Sequence, residues 1–124
     1  MSYEIPGPGW TLEAAADYRT KQFFFVDVDD NGRALLPTAD GQICVGVLQN
    51  DPLQFEAATI VDLGIVKVVS NGTVEIGDDV ACANGGKAKE AASGEYIQGK
   101  ALEGDGGVDG AIIPVLLRPQ GRLA

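Results

Sequence analysis

The chain has 124 residues, 45% hydrophobic and 22% charged, which is enough apolar material for one packed core and too much for a disordered chain. Eighteen acidic against nine basic side chains give a formal net charge of −9, a field that repels phosphate backbones and anionic lipid, so neither nucleic acid nor a membrane surface is an expected partner. Histidine is absent, which leaves most hydrolase and metalloenzyme chemistries without their commonest base and ligand.

No apolar run approaches the roughly 18 residues needed to span a bilayer. Residues 1–10 lack a basic segment followed by a hydrophobic one, so synthesis in a reducing cytoplasm is expected. Within this stretch, Ile5-Pro6-Gly7-Pro8-Gly9-Trp10 combines two prolines without backbone donors and two freely rotating glycines, and predicts an extended arm. Tyr3, Ile5 and Trp10 give that arm apolar side chains to bury, on its own core or on a neighbour. Residues 11–19, with Thr11 as a cap before Leu12, Glu13 and three alanines, suggest one or two helical turns.

Phe23-Phe24-Phe25-Val26-Asp27-Val28 has the aromatic and β-branched content of a first core strand. Asn31-Gly32, Asn71-Gly72 and Asn84-Gly85 separate apolar segments and tolerate the positive φ angles of tight hairpins. The run 60–69 is long for one straight strand, and Gly64 offers it a bend at a barrel corner. Strands then follow at 80–83, 96–102 and 111–117. The glycine-rich run 104–110 predicts a mobile acidic surface loop, and 118–124 a frayed tail. Cys44 and Cys82 lie in apolar, strand-like segments and are expected to be buried, inert thiols.

Gly32, Gly41 and Gly46 recur as Gly85, Gly94 and Gly99 at an offset of 53 (85 − 32), and Asn31/Asn84, Ala39/Ala92, Ala58/Ala111, Ile60/Ile113 and Leu63/Leu116 keep that register. The fold expected is therefore mainly β, a small β-barrel or β-sandwich built from two similar strand-hairpin units at about 23–65 and 76–118. Its domain plan is an arm over 1–10, one β-rich body over 11–118 and a tail over 119–124.

No constellation rises to a catalytic or cofactor site. Asp27-Val28-Asp29-Asp30-Asn31-Gly32 opens like a calcium loop, yet Thr38 stands where a bidentate Glu is required, so a hairpin turn is expected. Gly85-Gly86-Lys87 lacks both the leading glycine of a phosphate loop and its following Ser or Thr, with Ala81 and Ala88 in those places. Ser70 and Ser93 have no histidine to activate them, Lys67 and Lys100 need burial to act as bases, and Asp78-Asp79 follows a turn glycine. The expectation is a protein that is not an enzyme and carries no cofactor or metal.

Gly46-Val47-Leu48-Gln49-Asn50-Asp51-Pro52, then Ala57-Ala58 and Gly64-Ile65-Val66-Lys67-Val68, resembles the capsid decoration (cement) proteins of tailed bacteriophages. Gly99-Lys100-Ala101-Leu102-Glu103 and Ile112-Ile113-Pro114-Val115-Leu116-Leu117 look like the closing strands of that family. Ala15-Ala16-Asp17-Tyr18 and Phe25-Val26 look like its opening, so the resemblance covers about 11–117. It implies a structural virion protein, commonly a homotrimer, bound outside an assembled capsid and bracing neighbouring major capsid proteins. Tyr3, Ile5 and Trp10 are then the candidates for capsid or neighbour contact, although the Pro-Gly-Pro-Gly-Trp arm departs from the family pattern.

Two other classes remain. Gly72-Thr73-Val74-Glu75-Ile76-Gly77-Asp78-Asp79-Val80 resembles strands of biotinyl and lipoyl carrier domains, but neither Lys87 nor Lys67 has the flanking residues of a modified lysine. A calcium- or carbohydrate-binding β module would use the acidic loops.

Overall fold

A computed structural model describes residues 4–6 and 9–122. The described residues form eleven β-strands and no helix: β1 (Ile5–Pro6), β2 (Gly9–Glu13), β3 (Phe25–Val28), β4 (Ala34–Leu35), β5 (Gly46–Leu48), β6 (Ala57–Val61), β7 (Gly64–Asn71), β8 (Asp79–Cys82), β9 (Ala88–Glu90), β10 (Tyr96–Ala101) and β11 (Asp109–Arg122). The protein is mainly β, as its composition predicts.

The strands make two sheets, and each curls onto itself. One runs β2-β6-β5-β3-β4, and a parallel bridge from Ala14, just past β2, to Ala34 in β4 joins its ends. The other runs β1-β7-β11-β10-β8-β9, and a parallel bridge from Ser70 in β7 to Ala88 in β9 joins β7 to β9. Two small five-stranded barrels result, with β1 added to the outside of β7 by Ile5 opposite Ile65 and Pro6 opposite Gly64.

The two barrels share one connectivity. Phe25 opposite Val47 has its counterpart in Asp79 opposite Lys100, and Trp10 opposite Ile60 in Val66 opposite Val115. The strand plan common to the two barrels includes β2 in the first and β7 in the second. The constant offset of 53 holds between β5 and β10, but loop insertions change it to 54 between β3 and β8 (79 − 25) and to 55 between β6 and β11 (115 − 60). Ile60 thus matches Val115 rather than Ile113. Gly46 and Gly99 do match: a Cβ on Gly46 would lie 2.7 Å from the Val61 carbonyl oxygen, and one on Gly99 2.3 Å from that of Leu116. Both glycines let two strands approach where a side chain would part them.

The expected strand over 60–69 is two strands in different barrels, with the chain crossing between them at Asp62 and Leu63. The helical turns expected over 11–19 are absent. Trp10, Leu12 and Ala14 alternate inward with period two against β6, and this packing overrides the helix propensity of the alanines. Asn31-Gly32 and Asn84-Gly85 turn the hairpins β3–β4 and β8–β9 as expected, whereas Asn71-Gly72 ends β7 without pairing it to β8. Strand β11 continues past Leu117 to Arg122, where a frayed tail was expected. Its register against β10 jumps between Ile97 and Gly99, so Pro119 falls in a bulge that needs no amide donor.

Trp10, Leu12, Ala14, Val26, Leu48, Ala58 and Ile60 fill the first barrel. Val66, Val68, Val80, Ala101, Ile113 and Val115 belong to the second cluster, which also takes in Phe25, Val47 and Val61 from the outer face of the first barrel. Backbone bonds reinforce the junction: Phe25 N donates to Gly86 O at 2.7 Å, Val69 N to Phe23 O at 3.0 Å and Gly41 N to Cys82 O at 2.8 Å. The barrels are joined by apolar packing and hydrogen bonding together.

Candidate contact surfaces

Of the three arm residues singled out from sequence, Ile5 and Trp10 fall within the described residues. Tyr3 lies outside the described residues. Ile5 is in β1, paired on β7 of its own chain. Trp10 is in β2, half-buried against the interior of the first barrel.

The loop before β11 is anchored by Asp105, which is only 6% exposed. Its carboxylate accepts hydrogen bonds from the Ser70 hydroxyl, Val74 N at 3.0 Å and Gly107 N at 2.9 Å. Burial pushes its pKa up, but the bonds from Ser70, Val74, Gly107 and Gly72 outweigh that and hold it below the usual carboxylate value. An aspartate expected on a mobile surface is instead a staple between this loop and the end of β7. Ser70 is committed to the same staple.

The remaining candidate groups are also engaged. Asp29 Oδ1 accepts from Asn31 N at 2.9 Å and Arg33 N at 2.8 Å, so the calcium-like segment is a self-bonded hairpin turn. Asp78 hydrogen-bonds Glu90 and raises its pKa in an exposed acidic group. Lys87 Nζ pairs with Asp109 at 2.9 Å, and Lys67 lies over the Phe23 ring at 5.9 Å. Among the described residues no three His, Cys, Asp or Glu side chains converge to hold a metal ion. Cys44 and Cys82 are free and buried, and a hydrogen bond with Cys82, followed by burial, pushes the Cys44 thiol up.

Among the described residues two that are not glycine occupy left-handed backbone, Phe23 and Phe55, both at φ 69°. The strand offsets make them equivalent to glycines in the second barrel, Phe23 to Gly77 (offset 54) and Phe55 to Gly110 (offset 55), which have φ 83° and 92°. Phe23 N donates to Leu48 O at 2.7 Å as Gly77 N does to Ala101 O at 2.8 Å. Sequence reasoning had no signal for either position, because phenylalanine beside a strand reads as core.

Phe55 is on the loop between β5 and β6 and is 57% exposed, with Leu53 beside it at 42%. The loop is tightly held. Phe55 N donates to Ala14 O at 2.8 Å, Tyr18 N to Pro52 O at 2.9 Å, Leu53 N to Glu56 Oε1 at 2.8 Å, and Asn50 bridges Ala57 O and Thr59 N, both at 2.9 Å. Arg33, ion-paired to Glu13 at 2.6 Å, covers part of the Phe55 ring from 5.0 Å.

No family model matches the chain, and no curated protein matches it. Among solved structures, the fold is similar to the N base of head fiber gp8.5 in bacteriophage phi29, with a TM-score of 0.72 and 15% sequence identity over 94% of this chain and 98% of that one. At that identity the likeness establishes a shared fold, and the fold spans essentially the whole of both chains.

Proposed function

We propose that this chain is a structural protein of a bacteriophage virion that attaches to the outer surface of an assembled capsid and braces contacts between major capsid protein subunits. The observation that carries this reading is the end-to-end likeness to the base of a phage head fiber. The strand and turn motifs that resemble capsid decoration proteins support it independently, as does the absence of histidine. No described group is arranged for turnover: the buried serine, the turn carboxylates and the lysines are engaged by neighbours in the same chain.

The mechanism is passive stapling. One copy, or a homotrimer, touching several shell subunits adds modest contacts that rarely all dissociate at once, and the geometry is met only when the lattice has its final spacing. Tyr3 and Ile5 are proposed to reach the shell or a neighbouring copy, with Trp10 fixing the base of their segment in the first barrel. The same likeness favours a second reading, in which the chain is the capsid-facing base of a longer fibre.

Purified protein mixed with mature capsids that lack it, then imaged by electron cryomicroscopy, tests both readings. Regular density on the outer surface at subunit junctions is expected. Bare capsids at saturating protein would refute attachment, and density continuing outward as a stalk would replace the bracing role with the fibre-base role.

A further inference from the structure

We infer that Leu53 and Phe55 form the side-chain anchor by which the first barrel docks, and that its occupant is an apolar pocket with a basic rim on the capsid shell. The inference rests on the proposed attachment to a shell and adds where contact is made and with what chemistry.

The internal repeat supplies the argument. At two equivalent places the chain must enter the left-handed region, and the second barrel uses glycine at both, Gly77 and Gly110. A side chain there is disfavoured by local sterics, so an aromatic one requires a compensating role. Phe23 has such a role inside the molecule: its carbonyl accepts Val69 N at 3.0 Å across the junction of the barrels, and its ring lies under Lys67. Phe23 is half-buried whereas Phe55 is exposed, and the bond from Phe55 N to Ala14 O is one that a glycine would make equally well. The residue is 57% exposed and its ring meets Arg33, a contact that stabilises by about 0.5–1 kcal/mol at an exposed site.

The loop is already in a binding-competent form. The hydrogen bonds from Tyr18, Asn50, Leu53 and Phe55 fix its backbone, so docking two apolar side chains orders few further rotors. Aromatic side chains, phenylalanine among them, are enriched at protein–protein interfaces. The second barrel offers only Val108 at the position equivalent to Leu53, and Gly110 in place of Phe55, so the anchor belongs to one barrel and gives the molecule a single docking orientation.

Charge selects the occupant. Asp51, Glu56 and Glu13 are exposed around the pair, and Arg33, the basic residue beside them, is already bonded to Glu13. This acidic rim repels nucleic acid and the identical rim of a second copy brought onto this face. It complements Lys or Arg around an apolar pocket on another protein.

The test compares wild type with Phe55→Gly and Leu53→Gln, measuring co-sedimentation with mature capsids that lack the protein, thermal melting, and sedimentation velocity of the free protein. Phe55→Gly should bind roughly 30-fold more weakly, as expected for loss of a hot-spot aromatic, while melting no lower than wild type. Leu53→Gln should weaken binding in the same direction, and added salt should weaken wild-type binding. Binding by Phe55→Gly equal to wild type overturns the inference but leaves the proposed attachment standing. Capsids that bind no wild-type protein overturn both. Wild-type self-association abolished by Phe55→Gly, with capsid binding unchanged, gives the surface to a second copy and overturns the assignment to the shell.

Discussion

Replacing Gly99 by alanine tests whether the close strand crossing that recurs in both barrels governs their stability. An ideal Cβ there lies 2.3 Å from Leu116 O and 3.0 Å from both Leu116 C and Val115 Cγ1. Ordinary contact requires about 1 Å more, and the obstacle is backbone in a paired strand, so β10 and β11 must part where Gly99 faces Leu117 and Lys100 faces Leu116. Overpacking of this kind costs about 1–3 kcal/mol, and an immovable carbonyl places Gly99→Ala toward the upper end. Loss of unfolded-state freedom on replacing glycine returns about 0.4–1 kcal/mol, leaving a net loss of roughly 2 kcal/mol, or about 6–12 °C in melting temperature. Gly46→Ala meets Ile60 Cγ2 at 2.6 Å and Val61 O at 2.7 Å, a slightly smaller overlap, and should lose roughly 1–2 kcal/mol. Gly9→Ala is the control, since its nearest atom is Thr59 Cγ2 at 3.5 Å and it should be neutral or slightly stabilised. Urea unfolding followed by circular dichroism measures all three. A Gly99→Ala midpoint equal to that of Gly9→Ala would refute the reasoning.

Asp105→Ala leaves the buried Ser70 hydroxyl and Val74 N without their acceptor and should lose roughly 2–3 kcal/mol by urea unfolding. Because the folded-state pKa of Asp105 is depressed, its charge contributes stability above the unfolded value of about 4 that is lost as pH falls through the folded value. The gap between wild type and Asp105→Asn should therefore be full at neutral pH and shrink below about pH 4; a gap independent of pH would contradict this. Cys44 and Cys82 should resist iodoacetamide at pH 7 in the native protein and react fully in denaturant, as read by intact mass; rapid native labelling of both would show that the junction is open. Deleting residues 2–8 should weaken capsid binding with a near-normal melting temperature, and unchanged binding would remove Tyr3 and Ile5 from the contact.

The sequence carries the strands wherever period and composition agree. The 23–28 run, the Asn31-Gly32 and Asn84-Gly85 hairpins and the paired glycines Gly46 and Gly99 are all visible in it, because β-branched runs, positive-φ turns and close approaches each demand particular residues. The first strand of each unit is harder to see. Alanines 14–16 favour a helix locally, and only the alternation of Trp10, Leu12 and Ala14 argues for β2. Equivalences between units are obscured because the offset varies, and a repeat search allowing 53 to 56 would have matched Ala14/Ala34 with Ser70/Ala88. Asp105 in a glycine-rich run reads as solvated, since two of its donors, Val74 N and the Ser70 hydroxyl, come from residues 31 and 35 positions away. Phe55 has no sequence signal at all until Gly110 is known to be its counterpart.

Barrel closure limits how such a protein can hold a partner. An extended segment binds a sheet by adding to its free edge, but here the ends of each sheet meet through the Ala14–Ala34 and Ser70–Ala88 bridges, and β1 of the same chain lies on β7. Edge addition is thus largely used up within the molecule, and the proposed attachment to a shell would draw its affinity from side chains on the connecting loops. Those loops are unequal: the one before β11 folds its aspartate inward, whereas the one before β6 turns Leu53 and Phe55 outward. In the proposed docking the first barrel faces the partner through one rigid apolar anchor, and the core shared at Phe25, Val47 and Val61 ties the second barrel to it. Because that core is shared, the fluorescence of Trp10, the sole tryptophan and a reporter of the first barrel, should change at the same urea concentration as the circular dichroism of the whole chain. Two separated transitions would mean that the barrels fold independently and that the second does not stiffen the docking face.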